Sequence, residues 1–246
     1  MSHSFYSDTP VPVRADLADA QEQEWARLSQ PGTWWDGRER VSIAAEVRLA
    51  RNCSFCAERK SALSPYAVQG EHDSEGILPA VAVEVIHRVT TDPQRLSRTF
   101  YDKALEGGLT PEQYVELIGM TVLTVSVDAF CRSLGIDLRP LPEPQPGEPS
   151  RKKASGKLFY GAFVPLLAKP SGPDTDIYAD VPLPVAPNIV RSLSLVPDEA
   201  RGLQKLAQAE YLTFDDLVNF TAQRSLDRRQ TELIATRVSA LNECFY

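Results

Sequence analysis

The sequence predicts an all-α protein in which two related helical halves are joined by a proline-rich linker. Apolar residues recur every three to four positions through most of the 246-residue chain, which is the period of an amphipathic helix. Residues that start and stop helices flank these segments. Eleven of the nineteen prolines lie in residues 140–187, where a regular helix cannot form.

The composition is that of a globular protein with an acidic surface. The chain carries 26 basic and 33 acidic side chains, a formal charge of −7, and this balance disfavours nucleic acid as a partner. Apolar residues make up 43% of the chain, enough to form a sizeable core. Four cysteines are too few for a disulfide-stapled secreted scaffold.

Neither a membrane span nor a signal segment is expected. The most apolar stretch, Gly119 to Phe130, is interrupted by polar residues and is too short to cross a bilayer. The N-terminus has no apolar signal core. We therefore expect a cytoplasmic protein that does not bind membranes.

The first half of the chain divides into an arm and a helical unit. Residues 1–15 carry turn-forming residues without periodicity, and we expect a flexible arm there. Residues 16–139 form the first helical repeat. Its predicted helices are a run that begins at Asp16 and ends at Pro31, and the segments Arg38 to Arg51, Leu78 to Thr91, Arg95 to Glu106, and Thr110 to Leu134.

The longest of these helices has the clearest boundaries. Thr110 is a predicted N-cap, followed by a proline and, three residues on, by Gln113, which is the pattern of a capping box. Gly135 is suited to end the helix in a left-handed conformation. The sequence therefore predicts one continuous helix of about seven turns.

The second half begins after the linker of residues 140–187. Within the linker, Lys157 to Leu167 is expected to anchor the chain by aromatic contacts or to form one short strand. Residues 188–246 are interpreted as a second, partial helical repeat. A weak similarity between residues 109–118 and 226–234 is consistent with duplication, although capped amphipathic helices also resemble one another.

The strongest chemical motif is Cys53-Ser-Phe-Cys56 at the predicted start of a helix. Asn52 is the candidate N-cap, which would place both sulfurs in the first turn, where helix amides favour a thiolate. Two thiols three residues apart can form a disulfide. The alternatives are two packed core cysteines or half of a metal site. Since the three histidines are scattered in sequence, we expect no metal and no cofactor.

Two further residues are candidates for moving protons at this pair. Glu46 lies two helical turns before Cys53, and His72 lies in the following loop between two acids that would raise its pKa. Glu46 could instead pair with a nearby arginine, and His72 could be simply exposed to solvent. His87, on an apolar helix, is predicted to be a hydrogen-bonded core histidine.

With these motifs the chain resembles the alkylhydroperoxidase D and carboxymuconolactone decarboxylase superfamily, in its peroxidase-related branch with a CxxC motif. The family pattern is a glutamate, eleven residues, Cys-x-x-Cys, three residues and a histidine. Cys53 and Cys56 match it, but Val41 and Lys60 occupy the glutamate and histidine positions. Glu232 and Cys244 match it again, in a copy that lacks the second cysteine.

The resemblance implies an alkylhydroperoxidase D-like helical bundle that assembles into homo-oligomers. It also implies an oxidoreductase, a thiol peroxidase or disulfide reductase, that acts on a hydroperoxide and is restored by a thiol reductant protein or a small dithiol. Cys53 and Cys56 would be the redox pair, and His72 and Glu46 would replace the missing acid–base residues. The alternative is a non-catalytic helical oligomer with a structural or redox-sensing cysteine pair.

Overall fold

The computed structural model describes residues 5–179, 181, 186–221, 225–242 and 244. It confirms a largely helical fold, with one small sheet. The helices are α1 (Ala15–Leu28), α2 (Gly37–Ala50), α3 (Ser54–Ser61), α4 (Ala80–Thr91), α5 (Arg98–Glu106), α6 (Pro111–Leu134), α7 (Asn188–Arg191), α8 (Pro197–Glu210), α9 (Phe214–Val218) and α10 (Arg228–Leu241).

The predicted ends of α6 are confirmed. The Thr110 hydroxyl accepts the backbone N–H of Gln113 at 3.1 Å, and the Gln113 side chain accepts the N–H of Thr110 at 3.0 Å. Gly135 ends the helix with φ of 66°, in the left-handed region that glycine adopts without a Cβ clash. Local sequence therefore determines both boundaries of the longest helix.

Helix α6 lies at the centre of the core. It packs against α1, α2, α4 and α8. Its side chains at Leu117, Met120 and Val127 are fully buried. By length and composition alone, α6, which extends beyond the stretch Gly119 to Phe130 at both ends, could cross a membrane. In the fold two thirds of its most apolar window is buried inside the protein, as in a core helix.

The linker contains more regular structure than the single strand expected. β1 (Gly156–Phe159) pairs with β2 (Leu166–Pro170) in an antiparallel sheet that places Phe159 opposite Leu166. Before the sheet, the proline-rich chain runs along the loop after α1, where Gln145 donates its N–H to the Ser29 carbonyl at 2.8 Å. Linker residues 180 and 182–185 lie outside the described residues.

The described part of the expected N-terminal arm packs on the core. Residues 1–4 lie outside the described residues, but Tyr6 is only 4% exposed and its ring contacts Phe130 of α6 edge-on. Asp8 pairs with Arg139 at 2.7 Å. An aromatic residue in a proline-rich, polar stretch can be buried by tertiary packing that no local pattern reveals.

Only part of the second half of the chain packs into the core. Helix α8 packs on α1 and α6, whereas none of the described side chains of α10 is buried. Glu232, the candidate family glutamate, accepts a hydrogen bond from the Tyr211 hydroxyl at 2.7 Å, and Cys244 is exposed. These two residues therefore do not contribute to a buried thiol site in the described part of the chain.

Charged side chains cross the interface between the two halves. Arg40 on α2 is 1% exposed and contacts Glu116 of α6 and, at 3.1 Å, Glu199 of α8. Glu199 also receives two bonds from Arg27, at 2.8 and 3.0 Å. Burial raises the pKa of Glu116 to about 7 although Arg40 opposes the shift. This cluster links α1, α2, α6 and α8.

Candidate functional site

The cysteine pair lies where α2 ends and α3 begins. The N–H of Asn52 bonds to the Leu49 carbonyl, so Asn52 lies in the turn that follows α2. Cys53, not Asn52 as expected, is the N-cap of α3, and it has extended backbone angles. Cys56 lies in the first turn, and both cysteines are free thiols. The predicted placement of both sulfurs at a helix start is therefore confirmed.

His72 lies between the two sulfurs. Its Nδ1 is 3.4 Å from the Cys56 Sγ and 3.7 Å from the Cys53 Sγ. Its Nε2 is 2.8 Å from an oxygen of Glu84 on α4, and Glu84 is held in turn by Arg59 of α3 at 2.7 Å. The loop after α3 thus brings an imidazole onto the thiol pair and a helix supplies its carboxylate partner.

A second imidazole contacts Cys56 from the protein interior. The Nδ1 of His87 is 3.3 Å from the Cys56 Sγ, and its Nε2 is 3.1 Å from an oxygen of Glu46. The other Glu46 oxygen accepts the Ser74 hydroxyl at 2.6 Å and the Glu75 N–H at 2.9 Å. Glu46 therefore connects α2 to His87 on α4 and to the loop that carries His72.

The two histidines share one hydrogen-bonding arrangement. A carboxylate can only accept, so each Nε2 that faces Glu84 or Glu46 carries the proton. In a neutral ring the Nδ1 lone pair then faces the sulfurs. The two rings are 4.2 Å apart between centroids, which places both imidazoles on the same pair of thiols.

The environment shifts the pKa values of the two imidazoles in opposite directions. Although burial opposes it, contacts with Cys56, Glu84 and Cys53 raise the pKa of His72 to about 10. Burial and the neighbouring His72 lower the pKa of His87. Burial raises the pKa of the Cys53 thiol, but backbone N–H groups of Asp73 and Cys56 together with His72 outweigh it, and the pKa is lowered.

The sulfurs are buried beside a surface cavity. Cys53 is 2% exposed and Cys56 is 3% exposed, and both pack against Phe55. A cavity of about 430 Å³ lies beside the pair, and His72, Phe55 and Gly70 are part of its wall. Both His72 and Phe55 contact the cysteines, whereas neither cysteine itself lines the cavity.

The same four side chains form a compact set of metal-ligand atoms. One ligand atom each from Cys53, Cys56, His72 and His87 lies within 4.8 Å of all the others. No metal was expected from the sequence, because the three histidines are scattered along the chain. His72 and His87 are nevertheless adjacent in space, since the loop after α3 and helix α4 both return to the start of α3.

All four predicted site residues, Cys53, Cys56, His72 and Glu46, lie together. Glu46 is not paired with Arg48 or Arg51. Instead, Arg48 pairs with Asp128 at 2.8 Å. His87 is the buried, hydrogen-bonded histidine expected, but its partners make it part of the site.

Neither Glu84 nor the role of His87 was predicted from the sequence. Both lie on α4, three residues apart: Glu84 interrupts the apolar run Ala80 to Ile86, and His87 follows it directly. Their one-turn spacing places them on neighbouring parts of the helix surface. That spacing was the available signal. No protein-family model, curated protein or solved structure matches the chain.

Proposed function

We propose that the chain reduces hydroperoxides through a dithiol–disulfide cycle of Cys53 and Cys56. The observation that carries the proposal is that both sulfurs contact imidazole nitrogens whose opposite nitrogens face carboxylates. Such pairs position and transfer protons in many thiol enzymes. The resemblance to the alkylhydroperoxidase D group supports the same chemistry.

Cys53 carries out the first step, the attack on the hydroperoxide. Its thiolate attacks the terminal oxygen of the hydroperoxide, the O–O bond breaks, and Cys53 becomes a sulfenic acid. The departing alkoxide takes a proton from the imidazolium of His72 and leaves as an alcohol. The lowered pKa of Cys53 and the raised pKa of His72 favour this starting pair of charges.

The second step forms the disulfide. His87, whose pKa is lowered, accepts the proton of the Cys56 thiol through Nδ1, 3.3 Å away. The Cys56 sulfur attacks the Cys53 Sγ, the S–O bond breaks, and hydroxide leaves as water with the proton that His87 received. An external dithiol must then reduce the disulfide and restore both thiols.

The finer fold assignment belongs to the same proposal. An alkylhydroperoxidase D-like bundle with a second, partial repeat, assembled as a homo-oligomer, fits a largely helical chain whose thiol pair lies at a helix start. The exposed apolar side chains of α10, among them Leu233, Ile234 and Val238, are compatible with self-association.

Stopped-flow kinetics with reduced, metal-free protein and an organic hydroperoxide test the proposal. We expect Cys53→Ser to lose the reaction by about 10³-fold or more, because no sulfur remains that can attack. Cys56→Ser should still react once and stop at the sulfenic acid. The exposed Cys244→Ser serves as the control and should match the unmodified chain. If Cys53→Ser reacted with the hydroperoxide as fast as the unmodified chain, the proposal would be refuted.

The near-complete burial of both sulfurs favours one alternative, a non-catalytic pair that stabilises the fold or senses oxidants. In that case the Cys53 thiol should titrate at or above the value of a free cysteine, about 8.5. A clearly lower value supports catalysis. Ultraviolet absorbance of the thiolate against pH, compared between the unmodified chain and Cys53→Ser, separates the two.

A further inference from the structure

We propose that the reduced site binds one Zn²⁺ through Cys53, Cys56, His72 and His87. The four donors come from the start of α3, the following loop and α4, and they converge on one point inside the protein. Two thiolates and two imidazoles are a common ligand set of tetrahedral zinc sites. The Cys-x-x-Cys spacing is also that of such sites.

Three of the six distances between the donor atoms fit a tetrahedron. With Zn–S of about 2.3 Å and Zn–N of about 2.05 Å at the tetrahedral angle, a sulfur and a nitrogen of one zinc site lie roughly 3.6 Å apart. The Sγ–Nδ1 distances of Cys53 to His72, Cys56 to His72 and Cys56 to His87 are 3.7, 3.4 and 3.3 Å. All six distances are within 4.8 Å, so a zinc ion would require side-chain shifts of about 1 Å or less.

The partners of the histidines strengthen the inference. In zinc sites the ring nitrogen that does not bind the metal usually donates to a carboxylate or carbonyl, which fixes the tautomer and the ring orientation. Here Glu84 holds the Nε2 of His72 and Glu46 holds the Nε2 of His87. Both Nδ1 atoms are thereby directed toward the sulfurs before any metal arrives.

The arrangement corresponds to a closed site. All four ligands come from the chain, and both sulfurs are nearly inaccessible to solvent. A tetrahedral zinc ion would therefore have no free position for water or substrate, and it would tie the loop around His72 to α3 and α4. Mixed thiolate and imidazole donors favour Zn²⁺ over Mg²⁺ or Ca²⁺.

Zinc and hydroperoxide would then compete for the same thiolates, a consequence that rests on the proposed function. Oxidation of the zinc-bound pair by one hydroperoxide consumes two protons and yields the disulfide, one alcohol, one water and free Zn²⁺. A disulfide cannot hold the metal as two thiolates do. Bound zinc would protect the thiols, and an excess of oxidant would expel it.

Metal titration of the reduced full-length chain tests the zinc site directly. With Zn²⁺ and a chromogenic chelator as competitor, we expect one ion per chain and a dissociation constant of about 1 nM or tighter. Co²⁺ in its place should give the intense visible bands of a tetrahedral ion and a thiolate-to-cobalt charge-transfer band. No cobalt spectrum, or zinc binding weaker than about 1 μM, would overturn the proposal.

Matched variants separate this site from other cysteines and carboxylates. Cys56→Ser should weaken zinc binding at least about 100-fold, and Cys244→Ser should leave it unchanged. Glu84→Gln, which alters the carboxylate that His72 shares with Arg59, should weaken it about 10–100-fold, whereas the exposed Glu58→Gln should not. Equal affinity in Glu84→Gln and Glu58→Gln would refute the role of Glu84 as a positioning residue.

Two measurements on the same sample distinguish the proposals. Zinc binding, combined with no disulfide formation when the metal-free chain meets an organic hydroperoxide, would support the metal site and contradict the peroxidase. Disulfide formation in a chain that binds no zinc would support the peroxidase and contradict the metal site. Release of one zinc ion per disulfide formed is the result that both proposals predict together.

Discussion

Replacing Arg40 with alanine is expected to lower the free energy of unfolding by about 3–5 kcal/mol, because it leaves buried carboxylates without their shared cation. Arg40 contacts Glu116 and Glu199, and all three side chains are buried. Glu199 keeps Arg27, but Glu116 keeps only the backbone N–H of Trp34 at 2.6 Å. Chemical denaturation of the two proteins measures the difference.

The loss of unfolding free energy in Arg40→Ala should grow as the pH rises. The folded-state pKa of Glu116 is already raised to about 7 from 4.5, so its contribution is fully present below pH 4.5 and is lost as the pH rises through 7. Without Arg40 this pKa rises further, and Arg40→Ala should be more destabilised at pH 8 than at pH 5.5.

Arg38→Ala, an exposed arginine on the same helix, is the matched control and should change stability by less than about 0.5 kcal/mol. If the two alanine variants were equally stable, the buried cluster would not support the interface between the halves. A pH-independent loss in Arg40→Ala would contradict the assignment of the titrating group to Glu116.

Replacing Glu46 is expected to affect both stability and chemistry. Glu46→Ala removes the acceptor of three donors, those of His87, Ser74 and Glu75. An unsatisfied buried donor costs about 1–3 kcal/mol, and part of this will be recovered by water reaching the loop. We therefore expect a loss of about 3 kcal/mol in chemical denaturation.

Glu46→Gln is the more informative change. Its oxygen can still accept from Ser74 and Glu75, which leaves the NH₂ group to donate to the Nε2 of His87. The proton of His87 then moves to Nδ1, which faces Cys56 and can no longer accept the thiol proton. We expect a nearly normal fold, but disulfide formation slowed by about 100-fold, with a sulfenic acid accumulating on Cys53.

Trapping of the sulfenic acid with dimedone, followed by mass spectrometry, measures this accumulation. Glu58→Gln, an exposed glutamate on α3 near the site, is the control and should form the disulfide at the normal rate. If Glu46→Gln also formed it at the normal rate, His87 would not be the base for Cys56.

Local sequence was sufficient for the elements with strong boundary signals. The capping box of Thr110 and the glycine at position 135 are contacts within a few residues, so their patterns predict the ends of α6. Cys53, not Asn52, is the cap because Asn52 is held in the turn that follows α2, where its N–H bonds to the Leu49 carbonyl. The sheet of the linker depends on two strands pairing across a loop. The hydrophobic periodicity of the sequence does not predict which segments pair.

The sequence was sufficient to predict the two sulfurs of the site, but it predicted only some of the acid–base groups. Cys53 and Cys56 are adjacent along the chain, and proximity to them pointed to His72 and Glu46. His87 and Glu84 come from a later helix, and their approach depends on how α4 packs against α2 and α3. An apolar helix that contains a glutamate and a histidine one turn apart is the pattern that would have indicated them.

The most direct measurement of the central claim is peptide mass mapping of the reduced, metal-free chain after one equivalent of an organic hydroperoxide. We predict a single disulfide between Cys53 and Cys56, with Cys131 and Cys244 still reduced. Oxidation of Cys244 while the pair remains as free thiols would contradict it.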